Sequence, residues 1–329
     1  MNEQPLTFNQ LETHIQKLYH QGDYVAVLEL ADRFVSQFPK HKTVLEYWRI
    51  CMAARLGQDK RALQLLQQVL QAGIWYSEVL LRKSPSLAGL QGKGEFERLV
   101  KHNHELQQED QAQQFPLLTL HEQGACLPGG PACPLLIGMH ANSGNAQDSL
   151  GFWQPAARAG WLVGAPQSSQ AMWKNAYMWD DRETALREIR RHFNALQRKF
   201  NINPDQVILG GHSMGGELAA WLSLKRIIPA RGFICFGPGG PLMDDPDEWQ
   251  PLIDEALLRL EQDNSSLRGY LVAGADDNSI FHDALHAFQR MLNAAGIQTE
   301  LDIIPGAGHD FQPEYEEALL LGLDYLSGE

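Results

Sequence analysis

Gly210-Gly211-His212-Ser213-Met214-Gly215-Gly216 constrains this chain more than any other stretch. The apolar run Val207-Ile208-Leu209 leads into it and the helix-like run from Glu217 to Leu224 leads out, so a strand must turn sharply into a helix at a serine. Such a turn brings the backbone two residues before and after the serine into close contact, which leaves no room for side chains there. Gly211 and Gly215 meet that requirement. A serine hydroxyl is a weak nucleophile until a base takes its proton, and a sharp turn that projects the oxygen outward puts it within reach of one. G-x-S-x-G arises by chance in unrelated chains, so its context decides: a strand before, a helix after, then an acid and a histidine in that order.

All of these are present. Beyond the polar, glutamine-rich segment Gln107 to Gln114, strand-like runs alternate with helical ones. Leu117-Leu120, Leu135-Met139, Trp161-Gly164, Val207-Leu209, Gly232-Phe236, Gly269-Ala273 and Glu300-Ile304 read as strands. Helices are expected over Asp180 to Phe200, Gly215 to Arg226, Asp247 to Glu261, Ser279 to Ala295 and Pro313 to Leu326. Alternation on this scale predicts an α/β domain with a mostly parallel sheet flanked by helices. The boundary falls near 115, giving a helical region over 1–114 and a second domain over 115–329.

In such a sheet, chemistry collects at the carboxyl ends of the strands. Leu271-Val272-Ala273 ends in Gly274-Ala275-Asp276-Asp277, and Leu301-Asp302-Ile303-Ile304 ends in Pro305-Gly306-Ala307-Gly308-His309-Asp310. Both loops therefore open on the face that carries Ser213. A neutral His309 imidazole can take the serine proton, and a carboxylate from the preceding loop can fix its tautomer and stabilise the imidazolium. Asp276 and Asp277 both stand in that loop, with side chains that must point in different directions.

The order Ser213, Asp277, His309 and the intervals between them resemble the α/β-hydrolase superfamily over residues 116–329. Within it, Pro134-Leu-Leu-Ile-Gly-Met-His140, the Gly-His-Ser-Met-Gly-Gly elbow, Val272-Ala-Gly-Ala-Asp-Asp277 and Pro305-Gly-Ala-Gly-His-Asp310 look like the dienelactone hydrolase and phospholipase/carboxylesterase-like serine hydrolases. The resemblance implies that the acid lies three residues after the glycine, at Asp277, leaving Asp276 as a solvated loop carboxylate. It also implies an oxyanion hole from the backbone N–H groups of Met214 and Asn142, the latter in His140-Ala141-Asn142-Ser143-Gly144-Asn145. That loop resembles the family's His-Gly-x with Ala141 in place of the glycine. If the glycine is there for a positive φ, alanine would distort the hole.

Residues 8 to 109 are helical in pattern throughout, with apolar residues three and four apart, such as Leu11, Ile15, Leu18 and Leu28, Ala31, Val35. Gly22-Asp23-Tyr24 followed by Val27-Leu28 returns 35 residues later (57 − 22) as Gly57-Gln58-Asp59 followed by Ala62-Leu63, and Phe38-Pro39 closes the first unit. This resembles a tetratricopeptide repeat without its Trp-x-x-Leu-Gly signature. Two units fall short of the three or so that a free-standing array needs, so its terminal helices are expected to bury apolar side chains against the next domain.

Net charge narrows the partners. Lys+Arg of 27 against Asp+Glu of 40 gives −13, a field that repels nucleic acid and anionic membrane. Cys51, Cys126, Cys133 and Cys235 include one C-x6-C pair, which suits neither a zinc knuckle nor a dense disulfide framework. That cysteine usage makes a reducing cytoplasm the expected setting, and with no basic and apolar leader at the amino end and no run of about 18 apolar residues the protein is expected to be soluble and unprocessed. His282 and His286 stand four apart on a helix but lack the adjoining glutamate of H-E-x-x-H, so an exposed helix face is expected there and no metal. His102-Asn103-His104 reads as a solvated helix end, and His140 and His212 as packing or hydrogen-bonding neighbours of the site. Trp153, Trp173, Tyr177 and Trp179 fit a substrate pocket and a domain core equally well.

The function these features imply is a serine hydrolase that cleaves a carboxylic ester or thioester through an acyl-enzyme on Ser213, with no cofactor. The alternative is a helical module that binds a protein or peptide in its concave face and carries a weakly active or silent hydrolase domain.

Overall fold

A computed structural model of the chain describes residues 6–112, 116–122, 126–240, 243, 245–310 and 312–328. They fall into two compact units: 1–114 together with 171–174, and 115–170 with 175–329.

The first unit contains the helices α1 (Phe8–His20), α2 (Tyr24–Phe34), α3 (Lys42–Arg55), α4 (Asp59–Gln71), α5 (Glu78–Lys83) and α6 (Gly94–Ala112). Thr7 and Gln10 form a reciprocal cap on α1, and the Asp23 carboxylate accepts from the Ala26 N–H to start α2. Gly22 between α1 and α2 and Gly57 between α3 and α4 have φ of 80° and 74°, so each of the two units of the sequence pattern is a pair of helices joined at a left-handed glycine. The stripes Leu11, Ile15, Val27, Leu28, Leu66 and Phe96 meet in one core. His102 and His104 are exposed, as expected for a solvated helix end, but Asn103 between them is buried. Its side chain accepts from the Tyr76 N–H at 2.8 Å and donates to the Tyr76 carbonyl at 2.7 Å, satisfying both backbone groups of a residue that stands outside the helices.

Where the sequence assigns all of 115–329 to one domain, residues 171–174 group with the helices instead. The reason is backbone pairing: Ser77 N–H donates to Met172 O at 2.6 Å, Lys174 N–H donates to Trp75 O at 3.1 Å, and Trp173 packs on the helical core.

The second unit runs β1 (Leu117–Leu120), β2 (Cys133–Met139), α7 (Ala146–Phe152), α8 (Gln154–Arg158) and β3 (Leu162–Pro166). Beyond β3 come the short strands β4 (Ala171–Trp173), which belongs to the first unit, and β5 (Ala176–Tyr177). The second unit then continues with α9 (Arg182–Lys199), β6 (Ile202–His212), α10 (Met214–Leu224), β7 (Gly232–Phe236) and α11 (Trp249–Gln262). It ends with β8 (Arg268–Gly274), α12 (His282–Ala294), β9 (Thr299–Ile304) and α13 (Glu314–Ser327). The main sheet has the order β1-β3-β2-β6-β7-β8-β9, antiparallel only at β1. β2, β3, β7 and β8 are buried almost end to end, which is why they read as continuous apolar runs.

Alternate side chains feed two cores. Ile137, Leu209, Cys235 and Leu271 pack under α9 to α12, while Leu136, Ile208, Ile234 and Val272 pack under α8 and α13. The chain leaves β2 toward β3 on one side and β6 toward β7 on the other, so the loops after these two parallel strands splay apart and open a crevice at the carboxyl edge. α10 starts in that crevice and is buried along almost its whole length.

The cysteine reading needs one correction. Cys126 and Cys133 form a disulfide with Cα atoms 5.3 Å apart, while Cys51 and Cys235 are free and buried. Asn201 brings them together: its N–H donates to Cys126 O at 2.8 Å and its carbonyl accepts from Cys133 N–H at 2.9 Å. The cytoplasmic expectation rested on unpaired cysteines, and a disulfide removes that support. Among the described residues, no helix is long and apolar enough to cross a membrane.

The bond lies at the amino end of β2, opposite the crevice. Unfolded without reductant, the protein should titrate with two thiols rather than four. Replacing both Cys126 and Cys133 by Ser should lower stability to urea by about 2–3 kcal/mol through the freed loop. A count of four thiols would show that the bond does not form.

Candidate active site

Because β2, β6, β7, β8 and β9 are parallel, their following loops converge on one edge. They deliver His140, Ser213, Gly237, Asp277 and His309 respectively. Ser213 sits between β6 and α10 with φ 55° and ψ −125°, a conformation that costs an L-residue about 1–3 kcal/mol. Its N–H donates to Phe236 O at 2.8 Å, which ties the turn to the end of β7. A Cβ at Gly211 would collide with the Gly215 carbonyl, and one at Gly215 with the His140 carbonyl. Both elbow glycines are therefore required by contact rather than by their own φ.

His309 joins the other two groups. Its Nδ1 lies 2.7 Å from Asp277 Oδ2 and its Nε2 3.0 Å from Ser213 Oγ. Asp277 is 2% exposed, whereas Asp276 beside it is exposed and has no such role. Burial works to raise the Asp277 pKa, but the hydrogen bonds from His309 and Ser279 outweigh it and hold the carboxyl below its ordinary range. An ionised carboxylate can only accept, so the proton of His309 stands on Nδ1. Nε2 then presents its lone pair to the Ser213 hydroxyl, the arrangement needed to remove that proton.

The surroundings fix these three groups in place. Ser279 N–H donates to Asp277 Oδ1 at 2.8 Å, so both carboxylate oxygens are used. His212 Nε2–H donates to His309 O at 2.7 Å, and desolvation together with the neighbouring imidazole pushes its own pKa down to about 4. His212 is thus neutral beside His309. Tyr315 O–H donates to Gly308 O at 2.6 Å, and burial followed by the charge of Asp277 raises the phenol to about 12, which keeps the donor protonated. Gly237 has φ 48°, and a Cβ there would stand 3.2 Å from both Asp277 Oδ2 and His309 Nδ1.

Residues 162–325 match the family model of the dienelactone hydrolase family, and residues 7–112 match that of the A/B hydrolase-like N-terminal domain. The chain is an α/β-hydrolase with a dienelactone hydrolase domain. An uncharacterized protein from Bacillus cereus ATCC 10987 shares the fold, at 21% identity over 98% of this chain and 99% of that one, with a TM-score of 0.53. Also similar are a fluorophosphonate-binding serine hydrolase of Staphylococcus aureus, at 15% identity over 65% and 92% of the two chains (TM-score 0.47), and a phospholipase/carboxylesterase from Dyadobacter fermentans, at 14% over 65% and 96% (TM-score 0.45). No match was found among curated proteins.

In this hydrolase Met214 is the first residue of α10, so its N–H has no intrahelical acceptor. Asn142 is the second residue of a turn closed by Gly144 N–H to Ala141 O at 3.0 Å, a bond in which its own N–H takes no part. Within that turn the positive φ falls on Ser143, at 60°, and not on Ala141. The distortion expected from alanine has no basis here.

Other residues take plainer places. Trp153 and Trp179 are core, with indole N–H groups on Ser149 Oγ and His140 O, both at 3.0 Å, and Tyr177 is buried. Trp153 lies directly under Gly138, where any Cβ would strike its ring. His140 stacks on Trp179 and burial depresses its pKa to about 4, while His282 Nε2–H donates to the Asp277 carbonyl at 3.1 Å. Among the described residues, no cluster of three His, Cys, Asp or Glu is arranged to hold a metal. Sequence reasoning missed Tyr315 and Gly237, because nothing in the spacing of either links it to His309.

The two adjacent aspartates can be separated by experiment. With a p-nitrophenyl ester, Asp277→Asn should lower kcat by about 10⁴, since an amide donates where the imidazole needs an acceptor. Asp276→Asn should change kcat by less than about threefold, as expected of a solvated surface group. Reversal of the two losses would move the role to Asp276.

Proposed function

We propose that this protein is a serine esterase, hydrolysing a carboxylic ester or thioester through an acyl-enzyme on Ser213. The observation that carries the reading is the continuous hydrogen-bonded line from Ser213 Oγ through His309 to a buried Asp277 carboxylate. His309 Nε2 takes the hydroxyl proton as Oγ bonds to the substrate carbonyl carbon. Charge then moves onto the carbonyl oxygen, for which the N–H groups of Met214 and Asn142 are the proposed donors. As the bond from carbon to the leaving oxygen or sulfur breaks, His309 returns the proton to it. A water molecule repeats the cycle on the acyl-enzyme, giving its proton to His309 and releasing the acid and Ser213.

Asp277 holds the tautomer throughout and stabilises the imidazolium formed at each proton transfer. The neutrality of His212 supports the same reading, because a second cation at that position would oppose imidazolium formation. The partly exposed Ser213 and His309 are reachable from solvent, while Asp277 is not.

Ser213→Ala should abolish ester turnover and labelling by a fluorophosphonate probe while leaving the unfolding midpoint unchanged, because it deletes one oxygen and creates almost no cavity. Turnover within about tenfold of the unsubstituted protein would contradict the proposal.

A further inference from the structure

The cleft beside the nucleophile has a distinct chemistry. Ser213 and His309 form its floor, and its walls are Pro238, Gly239, Gly240 and Met243 on one side and Ser279, Ile280, Phe281, Ala284 and Leu285 on the other. Its cavity volume is about 150 Å³, room for one short chain or small ring rather than for a whole drug-sized ligand. Among the described residues lining it there is no Asp, Glu, Lys or Arg. Ser213, Ser279 and His309 are its polar side chains, and the rest are apolar or glycine. Phe281, immediately before α12, stands at this cleft 68% exposed, the highest exposure among the large apolar side chains described.

One wall is held from behind. Glu217, on the first turn of α10, is 2% exposed; it pairs with Arg182 at 2.7 Å and accepts the Met243 N–H at 2.9 Å. Its carboxylate also backs directly onto Gly240, where a Cβ would collide with it. The charge needed to position the wall is thus buried and neutralised on the far side, and the face toward Ser213 stays uncharged. A buried carboxylate is costly unless paired and hydrogen-bonded, and here it is both.

We infer that this cleft receives an uncharged apolar group of the ester, packed between Met243, Ile280, Phe281 and Ala284, and that Glu217 is a positioning residue for its wall. The inference rests on the esterase reading and adds the substrate class. A charged group would enter with no counter-ion and lose hydration, whereas each added methylene gains apolar contact. The group is the acyl chain or the alkoxy chain, and the two differ in which half of a substrate panel responds.

The panel is p-nitrophenyl esters of increasing acyl length from acetate to octanoate, and acetate esters of increasing alcohol length from methanol to hexanol. kcat/KM should rise by at least about threefold per two methylenes along one series in the unsubstituted protein. Ala284→Phe, which narrows the cleft, should cut kcat/KM for the longest member of that series at least about tenfold more than for the shortest. Phe281→Ala, at an exposed position that leaves the fold unburdened, should flatten the chain-length slope. Glu217→Gln should raise KM for long esters more than it lowers kcat, which a merely structural role would not do.

A slope in the acyl series places the acyl chain in the cleft, and a slope in the alcohol series places the alkoxy chain there. If the protein turns over the panel but both Ala284→Phe and Phe281→Ala alter all lengths alike, the cleft assignment is overturned and the esterase reading stands. If the protein hydrolyses no ester and takes no fluorophosphonate, the esterase reading fails and the cleft assignment with it.

Discussion

The hydrogen bond from the Ser213 amide to the Phe236 carbonyl, 2.8 Å long, holds a non-glycine residue at φ 55°. Without that clamp the turn would relax toward an ordinary conformation, withdrawing the hydroxyl from His309 and displacing the start of α10. The rest of the unit is arranged around it. Parallel pairing of β6 with β7 brings the carbonyl to the amide, the glycines at 211 and 215 let the backbone fold back, and buried α10 fixes the direction in which Met214 N–H points.

The electrostatics of the site are set by unequal solvation. Asp277 is enclosed yet ionised, because His309 Nδ1–H and Ser279 N–H compensate its burial. His212 and His140 are enclosed where desolvation outweighs their backbone hydrogen bonds, and they are driven neutral, with pKa values of about 4. Only His309 has a buried carboxylate on one nitrogen and a hydroxyl on the other. Three imidazoles that look alike in sequence are thereby separated by what each one faces. Tyr315 and Gly237 complete the frame, one by tying down the loop before His309 and the other by having no side chain where the Asp277–His309 pair lies.

Much of the sheet was legible because its central strands are buried on both faces. Val207-Leu209, Gly232-Phe236 and Gly269-Ala273 are apolar at every position, and such runs are hard to mistake when helical periodicity surrounds them. β4 and β5 escaped notice because strands of three and two residues carry no periodicity, and 171–174 finds its partners in Trp75 and Ser77, distant in the chain. α7 and α8 are short and follow a loop, so propensity alone does not mark them. Ser213, Asp277 and His309 were readable through their loops, yet Asp276 and Asp277 are told apart only by burial. Glu217 lay unremarked inside an apolar helix. Its meaning appears only when Arg182 and the Met243 amide, 35 and 26 residues away, are seen to converge on it.

The central claim is that the strained turn makes Ser213 a nucleophile. Incubation with a fluorophosphonate, followed by intact-mass and peptide mass spectrometry, tests it directly. The account predicts one adduct per chain, located on Ser213, formed by native protein and lost on unfolding or in His309→Ala. An adduct on another residue, or labelling that survives unfolding, would contradict it.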